Sequence, residues 1–208
     1  MKNFIKLVVV VMLIGILGTG CESGTVKGQM EMVEYSEKPK RIAQKKEMAV
    51  PVNTQPQMVT IIGDSITLGA SGEILSIMPE CIIDAKKSRQ VEEGIEIANN
   101  LKAQGLLGDT VIIALGTNGI FSDEVAAELL ACIGEERTVY WVNAYGTNLS
   151  WQDEVNNKIK NLSEKYDNIY VLDWEQVASE HSEWICEDGI HLTVEGQAGF
   201  AKFIMNSF

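Results

Sequence analysis

From residue 58 onward, short apolar runs alternate with longer amphipathic segments, and this alternation limits the possible folds more than any other feature of the chain. Met58 to Ile62, Cys81 to Ile83, Val111 to Leu115, Val139 to Val142 and Ile169 to Leu172 read as strands. Several are nearly continuous in apolar residues, the pattern of strands buried on both faces. Val91, Ile95, Ala98 and Leu101 recur at four, three and three, which marks one face of a helix. Ser122 precedes an acidic first turn, Asp123-Glu124. Ser150 precedes Trp151 to Tyr166, and Thr193 precedes a last helix ending near Asn206; all three are placed as helix caps. Strands separated by helices predict a parallel sheet covered on both faces, with function at the carboxyl ends of the strands.

The first 57 residues follow a different pattern. Leu7 to Gly20 is a fourteen-residue run without charge, preceded by two lysines. As a helix it would reach about 21 Å, short of a hydrocarbon core of about 30 Å. It therefore suits a signal-peptide apolar region better than a spanning helix. The small residues before Cys21 resemble the lipobox of bacterial lipoproteins, which implies cleavage before Cys21 and lipidation of its thiol. An uncleaved N-terminal anchor is the alternative. Both readings place the rest outside the cytoplasm, tethered to a membrane. Residues 22 to 57 hold three of the four prolines among lysines, glutamates and glutamines, the composition of a solvated linker. The expected organisation is a signal segment at 1–20, a linker at 21–57 and one globular domain at 58–208.

Charge narrows the class of partner. The chain carries 29 acidic against 17 basic residues, and removing residues 1–20 leaves a net side-chain charge of −14. Such a surface argues against nucleic-acid binding and against electrostatic adhesion to anionic lipid. Cys81, Cys132 and Cys186 are odd in number, and Cys81 and Cys132 lie in apolar stretches, so no disulfide framework is expected. No Cys/His spacing suggests a zinc site, and neither a metal nor an organic cofactor is expected.

Three segments carry groups suited to nucleophilic chemistry. Gly63-Asp64-Ser65 follows the first strand, Gly116-Thr117-Asn118-Gly119 the third, and Asp188-Gly189-Ile190-His191 lies between the fifth strand and the last helix. In a parallel sheet all three can meet at one edge. Ser65 could be a helix cap or a nucleophile. Of the two histidines only His191 has an aspartate in the same short loop, whereas His181 sits in a polar stretch and reads as surface. A carboxylate orienting a histidine that deprotonates a serine is the arrangement such chemistry requires. Asn118 could donate its amide to an oxyanion or simply form a turn. The elbow G-x-S-x-G of the α/β-hydrolases is absent, because Thr67 occupies its last position. Trp151 and Trp184 could stack on a sugar ring or serve as packing.

Gly63-Asp64-Ser65, Gly116-Thr117-Asn118 and Asp188-x-x-His191 resemble blocks I, III and V of the SGNH (GDSL-type) hydrolase superfamily, in order, across residues 58–208. The resemblance implies a flavodoxin-like three-layer α/β/α sandwich around a five-stranded parallel sheet. It implies Ser65 as nucleophile, His191 as base and Asp188 as orienting acid, with Asn118 and the Ser65 N–H in the oxyanion hole. The family's block II glycine is replaced here, and Ser88 stands at the corresponding position as a backbone donor. Asp84-Ala85, Ser88-Arg89-Gln90, Leu115 to Gly119, Trp141-Val142-Asn143 and Asp188 to Thr193 look like the extracytoplasmic SGNH domains of peptidoglycan and polysaccharide O-acetyltransferases. That likeness implies a serine esterase or acyltransferase acting on O-acyl groups, acetyl above all, of cell-wall or surface carbohydrate; the chain is expected to be a monomer. A transferase of this kind would need a membrane acyl-donor partner or a soluble ester. Action on lipid or small esters, or glycan binding without chemistry, are the rival readings.

Overall fold

The computed structural model describes residues 58–207. The proposed signal segment, Cys21 and the linker lie outside the described residues. Five strands form one sheet: β1 (Val59–Gly63), β2 (Ile82–Ala85), β3 (Thr110–Ala114), β4 (Thr138–Val142) and β5 (Ile169–Leu172). All neighbours pair in parallel, in the order β2-β1-β3-β4-β5. This is the flavodoxin-like order, in which the chain reverses direction across the sheet between β1 and β3. The helices are α1 (Ser65–Ile77), α2 (Val91–Ala103), α3 (Asp123–Ile133), α4 (Gln152–Lys165), α5 (Trp174–Ser179) and α6 (Val194–Met205).

Side chains alternate across each strand and so divide the interior into two cores. Val111 and Ile113 of β3, with Val139 and Trp141 of β4, face α2, α3 and α4. Ile112, Ala114, Tyr140 and Val142 point the other way, toward α1, α5 and α6. Both faces are covered, which explains why β1 and β3 are buried at every residue and carry almost no polar side chains. Thr60 is the exception in β1; its hydroxyl donates to the Leu106 carbonyl at 2.8 Å and accepts from the Gly108 N–H at 2.8 Å.

The caps at Ser122 and Thr193 form as expected: each side chain accepts a first-turn N–H, from Val125 and Gly196. Ser150 does not cap α4. That helix starts one residue later than the sequence suggests, with Trp151 at the cap and no side-chain cap bond. The loop before it is held instead by Gln152 and Asn156, which bond the backbone of Gly146 and Ala144. α5 and the 3-10 turn Ser182–Trp184 carry too few residues for a periodic signal and were not read from sequence. Cys81, Cys132 and Cys186 are all free thiols.

Trp151 and Trp184 are both half-buried and make packing contacts. Trp184 is stacked between Trp174, at 6.0 Å between ring centroids, and His181, at 3.8 Å. Trp151 packs against the α2–α4 core. Helix α6 lies flat on Trp184 because Gly196 and Gly199 face it. A Cβ at Gly199 would come within 2.7 Å of the indole ring. Gly199→Ala should therefore push Trp184 off α6 and lower stability by about 1–3 kcal/mol in urea unfolding; an unchanged midpoint would mean that the ring moves without cost.

Candidate active site

The nucleophile turn is shaped by crowding beneath it. Gly63 ends β1 over the fully buried Thr67, and a Cβ there would lie 2.2 Å from the Thr67 hydroxyl. Asp64 then caps α1, its Oδ1 accepting the Ile66 N–H at 2.9 Å. Ser65 is thus the first residue of the helix. Its N–H belongs to the first turn, which has no intrahelical acceptor, and the helix dipole favours negative charge at that end.

The Asp188–His191 loop reaches Ser65 because α6 packs beside α1, with both N-termini at the same sheet edge. His191 Nε2 lies 3.0 Å from Ser65 Oγ, and His191 Nδ1 lies 2.7 Å from Asp188 Oδ2. The other Asp188 oxygen accepts the N–H groups of Ile190 and His191, both at 2.9 Å. Gly189, at φ 76°, supplies the left-handed residue that this tight loop needs. The two backbone bonds, then the ring, pull the Asp188 carboxyl down to about 2. An ionised carboxylate only accepts, so Nδ1 carries the hydrogen and donates. In neutral His191, Nε2 is then left as the acceptor for the Ser65 hydroxyl.

Asn118 enters from the β3–α3 loop. Its amide donates to Asp64 Oδ2 at 3.1 Å and to the Arg89 carbonyl at 3.2 Å. The β2–α2 turn adds Ser88, which is exposed and has φ 56°, the only non-glycine residue with positive φ among those described. A left-handed conformation is what glycine adopts at least cost, so Ser88 occupies a glycine-type backbone position without being glycine. The turn is pinned from below by Arg89, only 4% exposed. One guanidinium nitrogen donates to the Gly63 carbonyl at 3.1 Å and the Asp84 carbonyl at 2.6 Å; the other donates to Asp84 Oδ1 at 2.5 Å.

Among the described residues, no cluster of His, Cys, Asp and Glu could hold a metal ion, and no helix is long and apolar enough to cross a membrane. No family model matches the chain. A peptidoglycan O-acetyltransferase of Listeria monocytogenes is 31% identical over 159 residues, which cover 76% of this chain and 25% of that protein. An O-acetyltransferase of Staphylococcus aureus is 28% identical over 148 residues, 71% of this chain and 24% of the relative. The chain thus spans about a quarter of the length of the curated relatives it matches. Among solved structures, the C-terminal catalytic domain of Streptococcus pneumoniae peptidoglycan O-acetyltransferase A, with a methylsulfonyl adduct, gives a TM-score of 0.65 at 24% identity. The match covers 72% of this chain and 91% of that domain. A lipolytic G-D-S-L family member from Veillonella parvula gives 0.59 at 18% identity, covering 73% and 97%.

The chain is thus similar in sequence to a part of these O-acetyltransferases, and it shares its fold with the G-D-S-L family structure. The catalytic and oxyanion residues read from the sequence gather at one end of the fold: Ser65, His191 and Asp188 in a hydrogen-bonded row, Asn118 and Ser88 on turns held through Asp64 and Arg89. His181 stays outside, stacked on Trp184 and bonded to Glu183. Sequence reading passed over the roles of Asp64 and Arg89. An aspartate immediately before a helix start is a recognisable cap signal. Nothing local marks Arg89 for burial.

Asp64 is 1% exposed, and burial pushes its carboxyl up to about 6, against the pull of the Ile66 N–H, Thr117 and His191. Its pKa is higher folded than unfolded, so the folded state keeps the proton longer. That contribution to stability is complete below about pH 4 and is lost as pH rises through about 6. Asparagine does not titrate. The stability of Asp64→Asn relative to wild type should therefore rise by about 2–3 kcal/mol between about pH 4 and pH 7 in urea unfolding. A difference that does not vary with pH would place the charge in a solvated site.

Proposed function

We propose that this domain is an SGNH-type serine esterase or O-acyltransferase that removes or transfers O-acyl groups, acetyl above all, on cell-wall carbohydrate. The reading is carried by the Ser65–His191–Asp188 row, with 3.0 Å and 2.7 Å separations and the tautomer set by an ionised Asp188. Ser65 Oγ attacks the ester carbonyl while His191 Nε2 takes its proton, and Asp188 steadies the imidazolium that results. The tetrahedral oxyanion forms over the start of α1. The Ser65 N–H and the Ser88 N–H donate to it. The Asn118 amide keeps its bond to Asp64 and turns its second hydrogen from the Arg89 carbonyl to the oxyanion. His191 returns the proton to the leaving alkoxide. Water or a sugar hydroxyl then attacks the acyl-Ser65 ester by the same route in reverse.

The choice of carbohydrate is supported by the two relatives named as O-acetyltransferases, one of them a peptidoglycan O-acetyltransferase by name. The apolar run before Cys21 supports placement outside the cytoplasm on a lipid or uncleaved anchor. If the reaction is transfer, the acyl group comes from a membrane partner or a soluble ester; if hydrolysis, water suffices.

On a small acetyl ester, Ser65→Ala should lose at least about a thousandfold in kcat/KM, and Asn118→Ala about 10²–10³-fold in kcat. Unchanged turnover by a folded Ser65→Ala protein would sink the mechanism. A serine-directed phosphonate should label Ser65 in the wild type, and that labelling would exclude a glycan binder without chemistry.

A further inference from the structure

An open cleft of about 370 Å³ adjoins Ser65 and His191, within the size range of small-ligand sites. Its wall is largely apolar, from Ile66, Leu68 and Leu192, with the Gln197 amide at one side and Lys87 at another. Lys87 is the one lining residue with a permanent charge. Its neighbours on the turn are committed elsewhere: Lys86 pairs with Glu93 at 2.6 Å, and Arg89 is buried on Asp84. Among the described residues no carboxylate pairs with Lys87, although the chain carries far more acids than bases. The turn is also stiff, because Arg89 ties it to Gly63 and Asp84, and Gln90 donates to the Asn118 carbonyl at 2.8 Å. A cation is therefore held at the mouth of the nucleophile's cleft, on a protein whose overall charge repels anions.

We propose that Lys87 is a specificity-determining residue, selecting O-acylated carbohydrates that carry an anionic group, carboxylate or phosphate, near the ester. The inference rests on the esterase reading and adds the charge class of its substrate. The apolar wall takes the face of the sugar ring, and the ammonium meets the anion. With Asp188 engaged by His191 and backbone, and Asp64 buried beneath the turn, Lys87 sets the sign of charge that the cleft accepts.

The test compares the full chain with Lys87→Ala, Lys87→Glu and Lys87→Arg on three probes: an O-acetylated glucuronic acid, its methyl ester, and an O-acetylated glucose 6-phosphate. Wild type should prefer an anionic probe over the methyl ester. That ratio of kcat/KM values should fall about tenfold in Lys87→Ala, further in Lys87→Glu, and survive in Lys87→Arg, shrinking with added salt. The probe whose preference depends on Lys87 identifies the anion as carboxylate or phosphate. A ratio within about twofold of wild type in Lys87→Ala, or no anionic preference in wild type, overturns the inference while leaving the esterase reading intact. Calorimetric binding of the same probes to Ser65→Ala should show the same Lys87-dependent discrimination. A failure of catalysis is thereby separated from a failure of anion selection.

Discussion

One buried carboxylate, Asp64, holds the site together. Its Oδ1 caps α1 and so fixes where the helix begins, which makes Ser65 the first helical residue. Its Oδ2 holds the amide of Asn118, on a turn that follows a different strand. The two loops that flank the chain reversal between β1 and β3 are thereby joined through a single side chain. Burial raises the energy of the charged form, and the raised pKa of Asp64 reflects that cost. Asparagine could cap the helix, but an ionised carboxylate can accept from both partners at once without donating.

Arg89 serves a similar purpose for the third loop. Its guanidinium grips the carbonyls at the ends of β1 and β2, and its own carbonyl accepts from Asn118. A buried arginine would be unfavourable alone; here Asp84 and two carbonyls accept hydrogen bonds from its two terminal nitrogens. The outcome is a rigid β2–α2 turn that keeps Ser88 in a left-handed conformation and presents Lys87 to the cleft. The loop bearing Asp188 and His191 is braced differently. Thr147 donates its N–H to the Gly189 carbonyl at 2.8 Å, and the loop containing Thr147 is anchored by Gln152 and Asn156, both bonded to Glu175.

Much of this was legible in the chain. The five strands were visible because a sheet covered on both sides demands apolar residues at nearly every position of its central strands, as in Val111-Ile112-Ile113-Ala114. Ser122 and Thr193 were visible as caps because the chemistry is local: a side-chain oxygen and an N–H three residues on. Ser150 misled for the complementary reason. Its local position suited a cap, but the brace from Gln152 and Asn156 decided where α4 began. Ser88 was placed from the family's pattern, and its φ of 56° suits a position where glycine is usual.

By itself the sequence determined the layered parallel architecture and which residues bear reactive groups, since both follow from side-chain type and short-range periodicity. It could not determine that His191 meets Ser65. That contact spans 126 residues and exists because α6 packs on α1, with Gly196 and Gly199 letting the helix settle against Trp184. Nor could it determine that Asp64 and Arg89 lie beneath the site. Burial of a charge depends on partners that only the assembled fold brings within hydrogen-bonding distance.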